Sequence, residues 1–400
     1  MKSTRNYWLD TLRGLAAIAV AIHHFNSHTE YKGHWFNEWT VFGARGVEVF
    51  FFISGFCVQA ASYRARDHWQ FLWQRFWRIY PPYLLSLFVV LGSAVVRKVF
   101  VNVNDAITLP GNWMAWIATI TITTRPATPV PVMNWVYWTL PYEVMFYLVI
   151  GLTVAAKHRY LLLYVVTGMG FVETIRTIPG LFFLSHWAIF CFGLAFYEYW
   201  YGAKRHGVIL MVVSIAQVTM NFSRTITVIL LVTFVSVLIS EKWSGCVLRR
   251  RTILSQCGDW SYSIYLLHVP LGVFCLYGAQ QFLGMEGFPM NVVYIGALLV
   301  VTLFCSWISY HLVEIPAIRI GKAYAEMGAW LGRQGPFPNP FRASSASKGR
   351  RITGEKEHAV VWVNIERLSA WTEYNAEFIR GRVLAFYEKV IAKNKKKSRR

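Results

Sequence analysis

The stretch Leu9–Asn26 reads LDTLRGLAAIAVAIHHFN and decides what kind of chain this is. It is apolar enough for a bilayer, yet it carries Arg13 and two imidazoles, His23 and His24. At ~100° per residue, the spacing of Arg13 and His24 brings them within ~20° of one helical face. Along the axis they stand ~17 Å apart, about half a bilayer core. His23 points ~80° away from that face. Ionisable groups in hydrocarbon are costly and normally face a protein interior or a watery cavity. Arg13 could also snorkel to the headgroups, with His24 satisfying a neighbouring helix. The stretch alone leaves both readings open.

The rest of the chain continues the apolar theme. Its 400 residues are 55% hydrophobic, 17% aromatic and only 15% charged, with mean hydropathy +0.37. That excludes an ordinary soluble enzyme. Apolar runs near the spanning length of ~20 residues recur at 9–27, 41–61, 79–97, 135–156, 160–176, 180–201, 207–220, 225–240, 258–283 and 291–314. The predicted fold is all-α, a polytopic transmembrane bundle of about ten helices. The run 112–124 is short and Thr-rich, so it reads as re-entrant or interfacial. The first run is no cleavable signal: Arg13 and His24 lie inside it, and no small-residue cleavage site follows. Six scattered cysteines show no CxxC or Cys/His metal spacing, so neither a disulfide framework nor a metal site is expected.

The net charge of +20 resembles a nucleic-acid signal, but its distribution argues for lipid. Residues 316–400 hold 18 Lys/Arg against 7 Glu, which is +11 of the +20. A cationic tail on a membrane protein meets anionic headgroups, and no nucleic-acid partner is expected. Basic residues also orient the bundle. With 112–124 kept outside, the inner loops hold Arg64, Arg66, Arg75, Arg78, Lys157, Arg159, Lys204, Arg205, Lys242, Arg249, Arg250 and Arg251. The outer loops hold half as many. Ten crossings with both termini cytoplasmic follow. The domain expected over 1–320 gives way to a flexible Gly/Pro/Ser/Arg-rich linker at 332–354. Residues 355–400 then read as a basic amphipathic helix on the membrane or a disordered basic tail.

The polar residues fall at distinct depths. Glu48 in GVEVFFFISGF lies ~10 Å below the outer surface, and Glu143 in WVYWTLPYEVMFYL at a similar level. His268 in WSYSIYLLHVPL is near the midplane. Arg75 and Arg78 share one face of a helix at the cytoplasmic entrance. Guanidiniums below and imidazoles with carboxylates above is the expected layout. His268 is equally a core histidine, and Trp138, Tyr142 and Tyr147 line a sugar pocket or form an aromatic belt.

Five stretches, in order, resemble the membrane acyltransferase-3 family, whose members O-acylate glycans and other acceptors. They are LDTLRGLAAIAVAIHH, GVEVFFFISGF, RFWRIYPPY, WTLPYEVMFYL and WSYSIYLLHVP, and YHLVEIPAIRI is similar to the family's closing segment. The resemblance spans roughly residues 8–320. Glu48 replaces the family's usual Asp, and Val144 stands where many members have a second Glu. The resemblance implies transfer of an acyl group, acetyl above all, from cytosolic acyl-CoA to a hydroxyl of an extracytoplasmic glycan. Acyl-CoA is then a substrate, with no permanently bound cofactor. The implied location is the bacterial cytoplasmic (inner) membrane.

Coenzyme A is polyanionic, and Arg grips phosphates bidentately. Arg13, Arg75 and Arg78 are therefore the candidate donor-binding residues. His24 is the candidate base for the hydroxyl, with Glu143 or Glu48 holding its tautomer and His268 as a further candidate. A covalent acyl-His intermediate is an equal alternative. The competing class is a proton-coupled transporter or flippase of a polysaccharide precursor, since such carriers also use intramembrane Glu and His.

Overall fold

Each apolar run singled out above contains a helix in the computed structural model, which describes residues 6–27, 35–100, 109–242, 250–273 and 288–333. Helix α1 (Tyr7–Ser27) is followed by α2 (Trp35–Val41), a 3-10 turn at Phe42–Arg45, and α3 (Gly46–Arg64). Then come α4 (His68–Phe100), α5 (Trp113–Ile120), a 3-10 turn at Trp135–Thr139 and α6 (Leu140–Ala155). Helices α7 (Arg159–Ile175), α8 (Leu184–Tyr201), α9 (Lys204–Asn221) and α10 (Arg224–Lys242) complete the middle of the chain. Next come α11 (Ile253–Asp259) and α12 (Ser261–His268), which runs into a π-helical turn at Val269–Val273. Helix α13 (Phe288–Ser309) ends in a second π turn, Tyr310–Glu314, before α14 (Ile315–Arg333). No strand occurs among the described residues.

Among the described residues, five segments are long and apolar enough to cross a membrane: Trp35–Arg64, His68–Val96, Trp135–Ala155, Arg224–Lys242 and Pro289–Tyr324. The chain is a multi-pass membrane protein on this ground. The other expected spans coincide with α1, α7, α8, α9 and α11–α12, which are shorter or more polar. The run at 112–124 folds as the eight-residue α5, capped by Asn112 through the Ala115 N–H. It is too short to cross, and Tyr83 of α4 donates to its Thr119 carbonyl at 2.6 Å.

The chain divides into two units, Met1–Arg319 and Ile320–Arg400. The first holds everything that follows. Of the second, only the end of α14 is described. Of the linker expected at 332–354, residues 332 and 333 are helical, as the end of α14. The rest of the linker and the basic tail at 355–400 lie outside the described residues.

Apolar side chains give helices in a bilayer no reason to associate, so small residues set how closely they approach. A Cβ on Gly55 of α3 would come 2.0 Å from the Phe190 carbonyl oxygen, and one on Gly193 of α8 would come 1.8 Å from that of Phe52. A second reciprocal pair joins α1 to α11. There a Cβ on Gly14 would come 2.3 Å from Leu254 O and one on Gly258 1.8 Å from Asp10 O. These two backbone crossings fix α1 and α3, the helices that carry Arg13, His24 and the site below.

A buried carboxylate ties the far end of α3 to its neighbours. Glu198 of α8 is fully buried. It accepts from Gln59, Tyr63 at 2.9 Å, Tyr160 at 3.0 Å and the Ala203 N–H at 2.9 Å. Arg159 lies 3.5 Å away and stacks over the Tyr63 ring at 4.4 Å. Buried charge is tolerated only with such full compensation.

Candidate functional site

The wall of the site is a single face of α3. Val47, Phe50, Ser54, Cys57, Ala61 and Arg64 recur at three- and four-residue steps and border one cavity of about 260 Å³. Small side chains at 54, 57 and 61 keep that face open. At ~1.5 Å per residue the stripe runs ~25 Å along the helix. Opposite it stand Arg13 from α1, Arg75 and Arg78 from α4, Glu143 and Tyr147 from α6, and Tyr262 and Tyr265 from α12. Four guanidiniums and one carboxylate therefore face one space.

Helix α4 starts at His68, well before the span expected from residue 79. The reason is local: QFLWQRFWR contains no breaker, and the helix continues through Pro81 and Pro82. Arg75 and Arg78 are consequently inside a long helix that lines the cavity. Arg75 lies over the rings of Phe71 at 5.9 Å and Tyr147 at 5.8 Å. Its Nε is buried and has no hydrogen-bond partner among the described residues. An unpaired buried donor of this kind costs free energy unless something fills it.

Glu143 accepts from Tyr147 at 2.5 Å and from Ser54 at 3.3 Å. It borders the cavity together with the guanidiniums, and His24 is not among the residues that line it. Depth along an axis is legible from residue spacing; the neighbour a side chain faces is not. Glu48 is buried and pairs with Arg45 one turn before it, at 3.6 Å. Its Oε2 has no hydrogen-bond partner among the described residues. Neither Glu48, His24 nor His268 borders the cavity.

The histidines form a second group. His24 is half-buried, and its ring lies 5.3 Å from that of His268, 30° from parallel. Trp135 sits 6.0 Å from His24 and Phe25 sits 6.4 Å from His268. His23 turns away, its Nδ1 3.1 Å from the Thr40 carbonyl. His268 is the last residue of α12, and Pro270 follows in the π turn. Pro270 has no N–H to give the Leu266 carbonyl; Asn134, fully buried, donates to that carbonyl instead at 3.4 Å. The expected site residues thus fall into an arginine cavity with Glu143 and an imidazole pair. Glu48 stands with Arg45.

Sequence reading gave Tyr262 no role, Tyr147 only a place in a sugar pocket or an aromatic belt, and Arg64 only a place in an inner loop. The stripe at 54, 57, 61 and 64 was the available signal, since small and polar residues recur there at helical spacing. Glu314 was seen only as part of a motif. It is almost fully buried and accepts from Ser263 at 3.1 Å, and the charges of Arg78 and Arg13 act on it.

Compared with known families, residues 6–311 match a family model of the third acyltransferase type, described as an acyltransferase domain. No curated protein and no solved structure matches.

Proposed function

The chain belongs to the acyltransferase-3 family, and on that footing we propose that it is an integral membrane O-acyltransferase using acyl-CoA, acetyl-CoA first, as donor. The acceptor is a hydroxyl of a glycan on the far side of the bacterial inner membrane, with both termini and the basic tail on the cytoplasmic side. The observation that carries the reading is the convergence of Arg13, Arg75 and Arg78 on one cavity, with a buried Arg75 donor left to fill. Guanidiniums suit phosphate oxygens because they bind two at once.

The chemistry then runs in one direction. The arginines hold the phosphates, and the pantetheine arm extends from them toward His24. The acceptor hydroxyl attacks the thioester carbonyl while His24 takes its proton. The carbonyl carbon–sulfur bond breaks, and the departing thiolate recovers the proton from His24. An ester and free CoA leave.

The test uses purified protein in liposomes with radiolabelled acetyl-CoA and a panel of glycans. Acceptor-dependent release of CoA with label in the glycan is the expected result. Vectorial movement of an intact glycan without release of CoA would instead support the carrier.

A further inference from the structure

The acyl-transfer reading asks what orients His24, since the carboxylate of Glu143 stands in the arginine cavity. We propose that His268 is the positioning residue for His24, doing with an imidazole nitrogen what a carboxylate does in a hydrolytic triad. This rests on the acyl-transfer reading for its consequence in turnover, and on geometry for the pair itself.

Two facts define the state of His268. Its Nδ1 is 3.0 Å from the Ile264 carbonyl. A carbonyl only accepts, so Nδ1 carries the hydrogen and a neutral ring has a bare lone pair on Nε2. That Nε2 is buried and has no hydrogen-bond partner among the described residues. The ring is fully excluded from solvent. A bare acceptor held in such a place is waiting for a donor, because leaving it unmade is costly.

The ring that faces it is His24. At 5.3 Å between centroids, a modest rotation brings an N–H of His24 within about 3 Å of Nε2. The N–H then points inward, and the other nitrogen of His24 takes the hydroxyl proton. His268 supports the imidazolium that results, because its lone pair accepts the inward N–H throughout. Its place is built into the fold: Ile264 fixes the tautomer, and Asn134 secures the carbonyl that Pro270 releases.

The test compares His268→Phe with His268→Gln in the full-length protein. Phe matches the ring in shape and offers no acceptor; Gln offers a carbonyl acceptor in a poorer shape. Two readouts are taken: acceptor-dependent turnover, and the rate at which diethyl pyrocarbonate modifies His24, followed by mass spectrometry. The Phe variant is expected to lose about 10–100-fold in turnover, the scale seen when a metal-bound imidazole loses its orienting partner. Its KM for acyl-CoA stays unchanged. Modification of His24 slows in parallel, and the Gln variant recovers most of both. If Phe equals or exceeds Gln in either readout, His268 is packing and the proposal falls. His268→Met replaces the Phe variant if that one does not insert. If wild-type protein releases no CoA to any acceptor, the acyl-transfer reading fails, while the reactivity of His24 still decides the pair.

Discussion

Arg13, Arg75 and Arg78 differ from ordinary cytoplasmic-side arginines in what surrounds them. They border one cavity together, and Arg75 lies against two rings instead of in water. Arg13→Lys keeps the charge and loses the planar fork. It should raise the acyl-CoA concentration needed for half-maximal turnover and leave the acceptor requirement unchanged; a shift in acceptor requirement would reassign Arg13. His24→Ala should cost about 10²–10⁴-fold in transfer if it is the base, with CoA still bound by the arginines. His23→Ala, which loses the Thr40 contact and a ring contact with His24 at 5.1 Å, should be far milder, and a paired assay at matched expression checks the order. The shared face of Arg13 and His24 was legible because helical periodicity alone sets it. The company of Glu143 was not. Residue counting gives height along a helix, whereas the neighbour across a gap depends on how α3, α4 and α6 rotate against one another.

At the scale of elements, glycine governs the crossings. Gly193→Ala should drive α8 off α3, since its Cβ would come 1.8 Å from a carbonyl oxygen. Overpacking of this kind costs about 1–3 kcal/mol or more. Gly168→Ala in α7 meets nothing within 4 Å and should be neutral or slightly stabilising, through better helix propensity. Thermal unfolding of the two variants in detergent gives the comparison, and equal losses would show that the crossing does not depend on glycine. The long apolar helices were readable from composition. The start of α4 was not, because aromatic residues and arginines continue a helix as readily as they end one. The π turns that follow His268 and that end at Glu314 were also hidden. Pro270 announces a missing hydrogen bond, but not that Asn134, distant in sequence, supplies the substitute.

For the whole molecule, the orientation rests on the bias of basic loops. Single cysteines at Arg205 and Arg250, in a variant lacking the native ones, should label only from the cytoplasmic side of intact cells. Labelling of either from outside would overturn ten crossings. The all-helical class was plain from the sequence, and among the described residues five segments meet the length and hydropathy of a span. Some of the other runs fall short on length alone, α7 at 17 residues among them.

The α3 stripe from Arg64 to Val47 has a further consequence, an electrical one. On the proposed orientation, which puts Arg64 on the cytoplasmic side, the proposed anionic donor entering the cavity would travel through part of the transmembrane voltage. One elementary charge crossing the full field gains or loses about 2.3 kcal/mol per 100 mV. A negative interior pushes anions outward, so an energised membrane should draw the donor into its site. In sealed vesicles, a potassium diffusion potential, negative on the face that bears Arg64, should lower the KM for acyl-CoA, and collapsing it should reverse the effect. The membrane potential would then be a silent co-substrate of the reaction.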